Sequence, residues 1–183
     1  RGSRFIGFLK CLNSTKKYRL ELKRIRSEHL KSTHVCSAYR VITDSNIEEK
    51  CSDDGEPSGS AGLPILNELK RQNIVNVGAF IVRYYGGVKL GISGLIHSYT
   101  ETSKIAISNS LLTDWEPIKT YILNHSYQEI DIINFFIKKY KAKLVDREFD
   151  LFVRSFIEIN NDLIDDFKDS IEHKLSKTIL LIE

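Results

Sequence analysis

The chain has 183 residues, 42% of them apolar, which is enough for a packed core in one large or two small domains and excludes a disordered chain. Its formal net charge of +3 is too weak to announce a dedicated nucleic-acid binder. The charge is uneven, however: through Pro117 there are 17 Lys and Arg against 12 Asp and Glu, and from Ile118 onward 10 against 12, so the basic surplus sits in the first two-thirds and hints at an anionic partner there.

"SRFIGFLKCL" (3–12) is rich in β-formers and predicts a strand. Asn13 or Ser14 then offers a side-chain oxygen to cap a helix over 13–31. Tyr18, Leu22, Ile25 and His29 recur at helical spacing and make one buried stripe. Lys16, Lys17, Arg19, Lys23, Arg24, Arg26 and Lys31 mostly fall elsewhere, opposed only by Glu21 and Glu28. Such a helix is either an ordinary solvated amphipath or a phosphate-facing one. "THVCSAYRVI" (33–42) alternates as a strand does and is followed by a polar loop and a helix over 63–73. The apolar run 75–85 predicts a strand buried on both faces. A second glycine-rich loop covers 86–94, and a helix with small residues follows over 95–110.

"LLTDWEP" (111–117) reads as a boundary between domains 1–117 and 118–183. Beyond it come a strand (119–126), a helix (127–140), two strands (141–149 and 151–159), a helix (161–175) and a last strand (176–183). Asn160, Asn161 and Asp162 are cap candidates for the second of these helices. The order β-α-β-β-α-β is that of a ferredoxin-like unit. Phe152 and Phe156 share a face, with core packing as their assignment. The negative charge, and the lack of a [K/R]-G-[F/Y] core on the central strands, give this unit little expected RNA affinity.

Two loops carry the candidate chemistry. "SDDGEPSGSAGLPI" (52–65) brings Asp53, Asp54 and Glu56 within four positions, ahead of a helix start near Ser60. The carboxylates either fold back to cap that helix or hold a cation, while its free N–H groups and the Ser58 and Ser60 hydroxyls await an anion. "RYYGGVKLGISG" (83–94) places Arg83, Tyr84, Gly86, Gly87, Lys89, Gly91 and Ser93 between a buried strand and a helix, which suits either anion contact or close backbone packing. It is neither a Walker A motif nor a G-x-G-x-x-G fingerprint. A metal set of His34, Cys51 and Asp53 matches no ligand spacing, and no Ser-His-Asp arrangement can be assembled. No catalytic residue, metal or cofactor is therefore assigned. Cys11, Cys36 and Cys51, odd in number and without a C-x-x-C pair, fit a reducing cytoplasmic setting, and no membrane span or signal peptide is expected. The chain holds no Met, not even an initiator, so a trimmed form is expected.

The stretches "SRFIG", "THVCSAYR", "SDDGEPSGSAGLPIL" and "NVGAFIVRYYGGVKLGISGLIHSY" resemble the N-terminal domain of the IMPACT/YigZ family, over residues 2–107. The matching signature residues are Asp53, Asp54, Gly55, Glu56, Pro57, Ser58, Gly59, Ala61, Gly62, Arg83, Tyr84, Gly86, Gly87, Leu90, Gly91 and Gly94. Tyr85 stands where Phe is usual, Ile92 and Ser93 where small residues are common, and Leu63 where Lys is frequent, which weakens a strongly basic site there. The tail is similar to the second domain of the bacterial YigZ branch. The resemblance implies an α+β fold: an N-terminal sandwich similar to domain IV of elongation factor G, and a tail similar to its domain V. It implies a role in regulating translation with RNA or ribosome binding, and the basic balance of the first domain places that contact on Lys16, Lys17, Arg24, Arg26 and the two loops. A metal-assisted hydrolase built on Asp53, Asp54 and Glu56, or a protein-binding adaptor, are the alternatives.

Overall fold

The computed structural model describes residues 2–43, 46–175 and 181–182. The chain divides into two compact units, Arg1–Thr113 and Asp114–Glu183.

The first unit runs β1 (Arg4–Cys11), α1 (Thr15–Glu28), β2 (His34–Ile42), β3 (Ile47–Ser52), α2 (Gly62–Arg71), β4 (Val77–Tyr84) and α3 (Gly91–Ser108). Its sheet has the order β1-β4-β2-β3, with every neighbouring pair antiparallel. Successive side chains of a strand point to opposite faces, and β4 uses both. Ala79 and Ile81 pack with Leu69 of α2 and Tyr99 of α3. Phe80 and Val82 pack with Ile25 of α1. The sheet is thus covered on both faces, which is why the 75–85 run carries no polar alternation. Ser14 caps α1 by accepting the Lys17 N–H at 3.3 Å, and Ile25 is the buried residue of its stripe, with Tyr18 and Leu22 packed beside it.

One element was missed. The segment expected to be loop contains β3, paired along β2 from Ile42↔Ile47 to Ser37↔Ser52. As one of the two edge strands it needs no continuous apolar face, and charged residues there discourage pairing with other chains. Its ion pairs are cross-strand and tertiary: Arg40 Nε donates to Glu49 at 2.8 Å, and Lys70 of α2 lies 2.5 Å from the same carboxylate. The buried Arg40 also donates to the carbonyls of Leu69 and Ile74, which satisfies acceptors at the end of α2.

The second unit runs β5 (Ile118–His125), α4 (Ile130–Lys139), β6 (Lys143–Phe149), β7 (Val153–Asn160), α5 (Ile164–Leu175) and β8 (Leu181–Ile182), with single 3₁₀ turns ahead of each helix. The order β6-β7-β5-β8, antiparallel throughout, is the ferredoxin-like arrangement. Tyr121, Leu123, Ile157 and Ile159 pack against Ile133 and Ile137 of α4 and Phe167 and Ile171 of α5, so both helices cover one face. Leu181–Ile182 pair with β5, and the remainder of the expected last strand lies outside the described residues. The expected strand over 151–159 begins later: Leu151 and Phe152 lie in the turn before β7, and Phe152 is exposed rather than in the core.

Candidate functional site

The acidic loop is organised inward. The residue that caps α2 in sequence, Ala61, has no side chain that can accept a hydrogen bond. Asp53 supplies the acceptor from a distance: its carboxylate receives the N–H groups of Gly59 at 2.9 Å, Ala61 at 3.0 Å and Gly62 at 2.8 Å. The Ala61 and Gly62 donors at the helix start are thereby engaged within the chain. Gly62 allows this approach, because a Cβ there would stand 2.7 Å from the Ser52 backbone. Asp54 ties the loop to its neighbours. Its carboxylate accepts the Val35 N–H at 2.7 Å and pairs with Arg26 of α1, while its carbonyl accepts from His34 Nδ1 at 2.7 Å.

Glu56 is buried, and so is its partner. Arg83 Nη1 donates to both carboxylate oxygens, at 2.6 and 2.9 Å, and the Tyr99 hydroxyl donates to Oε1 at 2.7 Å. His34 Nε2 lies 4.0 Å away. The guanidinium stands 5.5 Å from the ring centres of both Phe5 and Tyr85, and its Nε has no hydrogen-bond partner among the described residues. Cys36 completes the cluster, with its sulfur 2.9 Å from the Asp53 carbonyl and 3.2 Å from the Tyr99 hydroxyl. Burial pushes its thiol up to about 12, and burial likewise raises Tyr99. Both therefore stay protonated and serve as hydrogen-bonding spacers rather than nucleophile or base.

The second loop is rooted in the same cluster. Gly86 lies directly on the chain's opening residues: a Cβ there would be 2.0 Å from the Gly2 carbonyl carbon. Ser3 Oγ accepts from Gly86 N at 3.3 Å and from Arg83 Nη2 at 3.4 Å. Tyr84 faces the other side and hydrogen-bonds His29, the residue that closes α1, at 2.8 Å. Past this root the loop turns outward. Gly87, Lys89, Gly91 and Ser93 are exposed, and the α3 start has neither a side-chain cap nor an acidic residue in its first turn.

These contacts sort the expected site residues. Arg83, Arg26, Tyr84, Gly86 and Ser60 are engaged within the unit; Ser60 is fully buried and donates to the Pro57 carbonyl at 2.6 Å. Arg83 in particular is corrected from a phosphate-facing cation to half of a buried ion pair. Arg24 is exposed but braced by Glu21 at 3.0 Å and Glu28 at 3.8 Å. Ser58 is exposed. Lys16, Lys17 and Lys89 are exposed and make no ion pair among the described residues. Arg19 and Lys23, off the Tyr18–Leu22–Ile25 stripe in the sequence but outside the expected binding set, belong with them. Among the described residues, no set of three or more His, Cys, Asp or Glu is arranged to hold a metal ion. No helix among them is long and apolar enough to cross a membrane.

The Impact N-terminal domain family matches residues 1–107. The IMPACT family member YvyE of Bacillus subtilis is 42% identical over 97 residues, covering 53% of this chain and 44% of that relative. The IMPACT family member YigZ of Escherichia coli is 30% identical over 152 residues, covering 82% of this chain and 74% of the relative. A crystal structure of a hypothetical protein superposes with a TM-score of 0.70 at 26% identity, covering 100% of this chain and 90% of the other.

Proposed function

For a chain that belongs to the IMPACT family, we propose a translation-associated regulatory role exercised by binding RNA, or the RNA of a ribosomal surface, through the N-terminal unit. The observation that carries this reading is the solvent side of α1, where Lys16, Lys17, Arg19 and Lys23 stand exposed without an acidic partner among the described residues. Unneutralised cations on a rigid helix attract phosphate and release its counterions. Lys89 and the uncapped start of α3 add a second group of donors. The His29–Tyr84 hydrogen bond, and that from Tyr85 N to Thr33 Oγ1, fix the root of this turn to the end of α1 and the start of β2.

The hydrolase alternative loses ground on the same geometry. A metal-assisted site needs carboxylates that converge on one point with free lone pairs. Asp53, Asp54 and Glu56 instead accept from backbone N–H groups, Arg26, Arg83 and Tyr99. The test of the binding reading is co-sedimentation of the purified chain with ribosomes across a potassium chloride series. Pelleting at low salt that falls away as salt rises is the expected result. No pelleting at low salt, or pelleting indifferent to salt, contradicts it.

A further inference from the structure

Apolar side chains gather, exposed, at one end of the sheet of the second unit. Leu151 is 86% exposed and Phe152 66%, both in the turn between β6 and β7, and Phe149 beside them is also exposed. Tyr127 lies with its ring 6.0 Å from that of Phe149 and donates its hydroxyl to the Asp150 carbonyl at 2.8 Å. Single exposed apolar residues are ordinary, whereas a concentration of them marks a contact surface. A cavity of about 520 Å³ opens there, with Phe152, Asn124 and Arg154 in its wall. That volume suits a small planar group with its attachments.

The polar part of the wall is built by register. Asn124 and Arg154 are directly paired across β5 and β7. Their neighbours Leu123, His125, Val153 and Ser155 are buried on the helix side, so Asn124 and Arg154 emerge together on the face the helices leave open. The Asn124 amide makes no hydrogen bond among the described residues. Arg154 engages Glu148 through Nη2 at 2.8 Å, which leaves its other nitrogens to donate elsewhere.

We infer that this cavity receives the base of an unpaired nucleotide. An exposed phenyl ring offers a stacking platform for any base. An amide presents a donor and an acceptor side by side, the pattern carried by the edges of bases, and a guanidinium adds planar donors. An aliphatic ligand would leave the amide unpaired, and a simple anion would make no use of the ring. The unit carries an excess of acidic residues from Ile118 onward, so recognition here draws on stacking and edge contacts rather than on phosphate attraction. This departs from the expectation of little RNA affinity for the tail, and the exposure of Phe152 is the reason. The base comes from an RNA strand or a free nucleotide; only the choice of an RNA strand rests on the function proposed above.

The experiment titrates the isotope-labelled full chain with adenosine monophosphate and, separately, with a short oligoadenylate, following backbone amide shifts. Shifts at Asn124, Phe152 and Arg154 are expected. Phe152→Ala, at an exposed position that the fold does not need, weakens the interaction by about 5- to 150-fold. Its log–log salt slope stays that of the wild type, because stacking changes affinity without changing the number of phosphates neutralised. Shifts at these amides with the monophosphate alone assign the site to a free nucleotide and support the inference. Unmoved amides at these three residues with both probes, or wild-type affinity in Phe152→Ala, overturn it. If the monophosphate moves none of the three amides and the oligoadenylate shifts only amides of α1 and the 86–94 turn, the base site is wrong and the proposed function stands. If it shifts only amides around Phe152, the base site stands and the role given to α1 is wrong.

Discussion

At Glu56 a carboxylate sits where water scarcely reaches, and Arg83 and Tyr99 donate to it. Removing one partner of a buried pair strands the other charge in a poorly solvated place, at a cost of about 3–5 kcal/mol. Glu56→Ala is therefore expected to lower the stability of the first unit by about that amount in urea denaturation followed by circular dichroism. Replacing both partners with apolar residues of similar size, Glu56→Leu with Arg83→Met, regains most of the loss, because no uncompensated charge remains. A double variant as unstable as the sum of its singles contradicts the ion-pair account. The pair lies 27 positions apart in sequence, and nothing in the local pattern of either loop announces it. What was legible was narrower: Asp53 ahead of a helix start is a capping signal, and three N–H groups do converge on it. Arg83 looked like a ligand cation because a cation at a strand end beside glycines reads the same whether it faces solvent or a carboxylate from another loop.

Among the elements, β2, β3 and α2 are held by a shared carboxylate. The Lys70 hydrogen bond, together with Arg40, holds Glu49 below the usual carboxylate range. A group whose folded pKa is depressed contributes its stability above its unfolded pKa and loses it as pH falls through the folded value. The wild type is thus expected to exceed Glu49→Gln in thermal midpoint at neutral pH, with the gap closing as pH drops below the ordinary Glu range. A gap that is constant with pH, or that widens in acid, contradicts the assignment. This contact also shows why β3 was hidden. An edge strand with Glu48, Glu49 and Lys50 lacks an apolar stripe, although it pairs with the strand directly before it in the chain. The strands with buried neighbours on both sides were legible because burial forces a continuous apolar run, as in β4. Helix α1 was legible from its period, and Ile25, Tyr18 and Leu22 are the residues that pack.

Across the whole molecule, charge is divided unevenly between the two units. The N-terminal unit holds the basic surplus, and its family signature residues lock two loops together. The acidic residues of that signature therefore organise the domain, and Lys16, Lys17, Arg19 and Lys23 of α1 stand exposed. The proposed contact of these cations with RNA is electrostatic. Its most direct test is fluorescence anisotropy of one labelled single-stranded RNA, from low to moderate salt, for the wild type and for the joint variant Lys16→Ala, Lys17→Ala and Lys23→Ala. These side chains lie off the buried stripe, so the fold should be unaffected. Each phosphate contact adds about −0.7 to the log–log slope on single strands, so losing three contacts should flatten it by about 2. A wild type that binds at low salt with a steep slope, and a variant whose slope is shallower by that amount, is the predicted result. An unchanged slope in the variant, or no binding by the wild type at low salt, would contradict it.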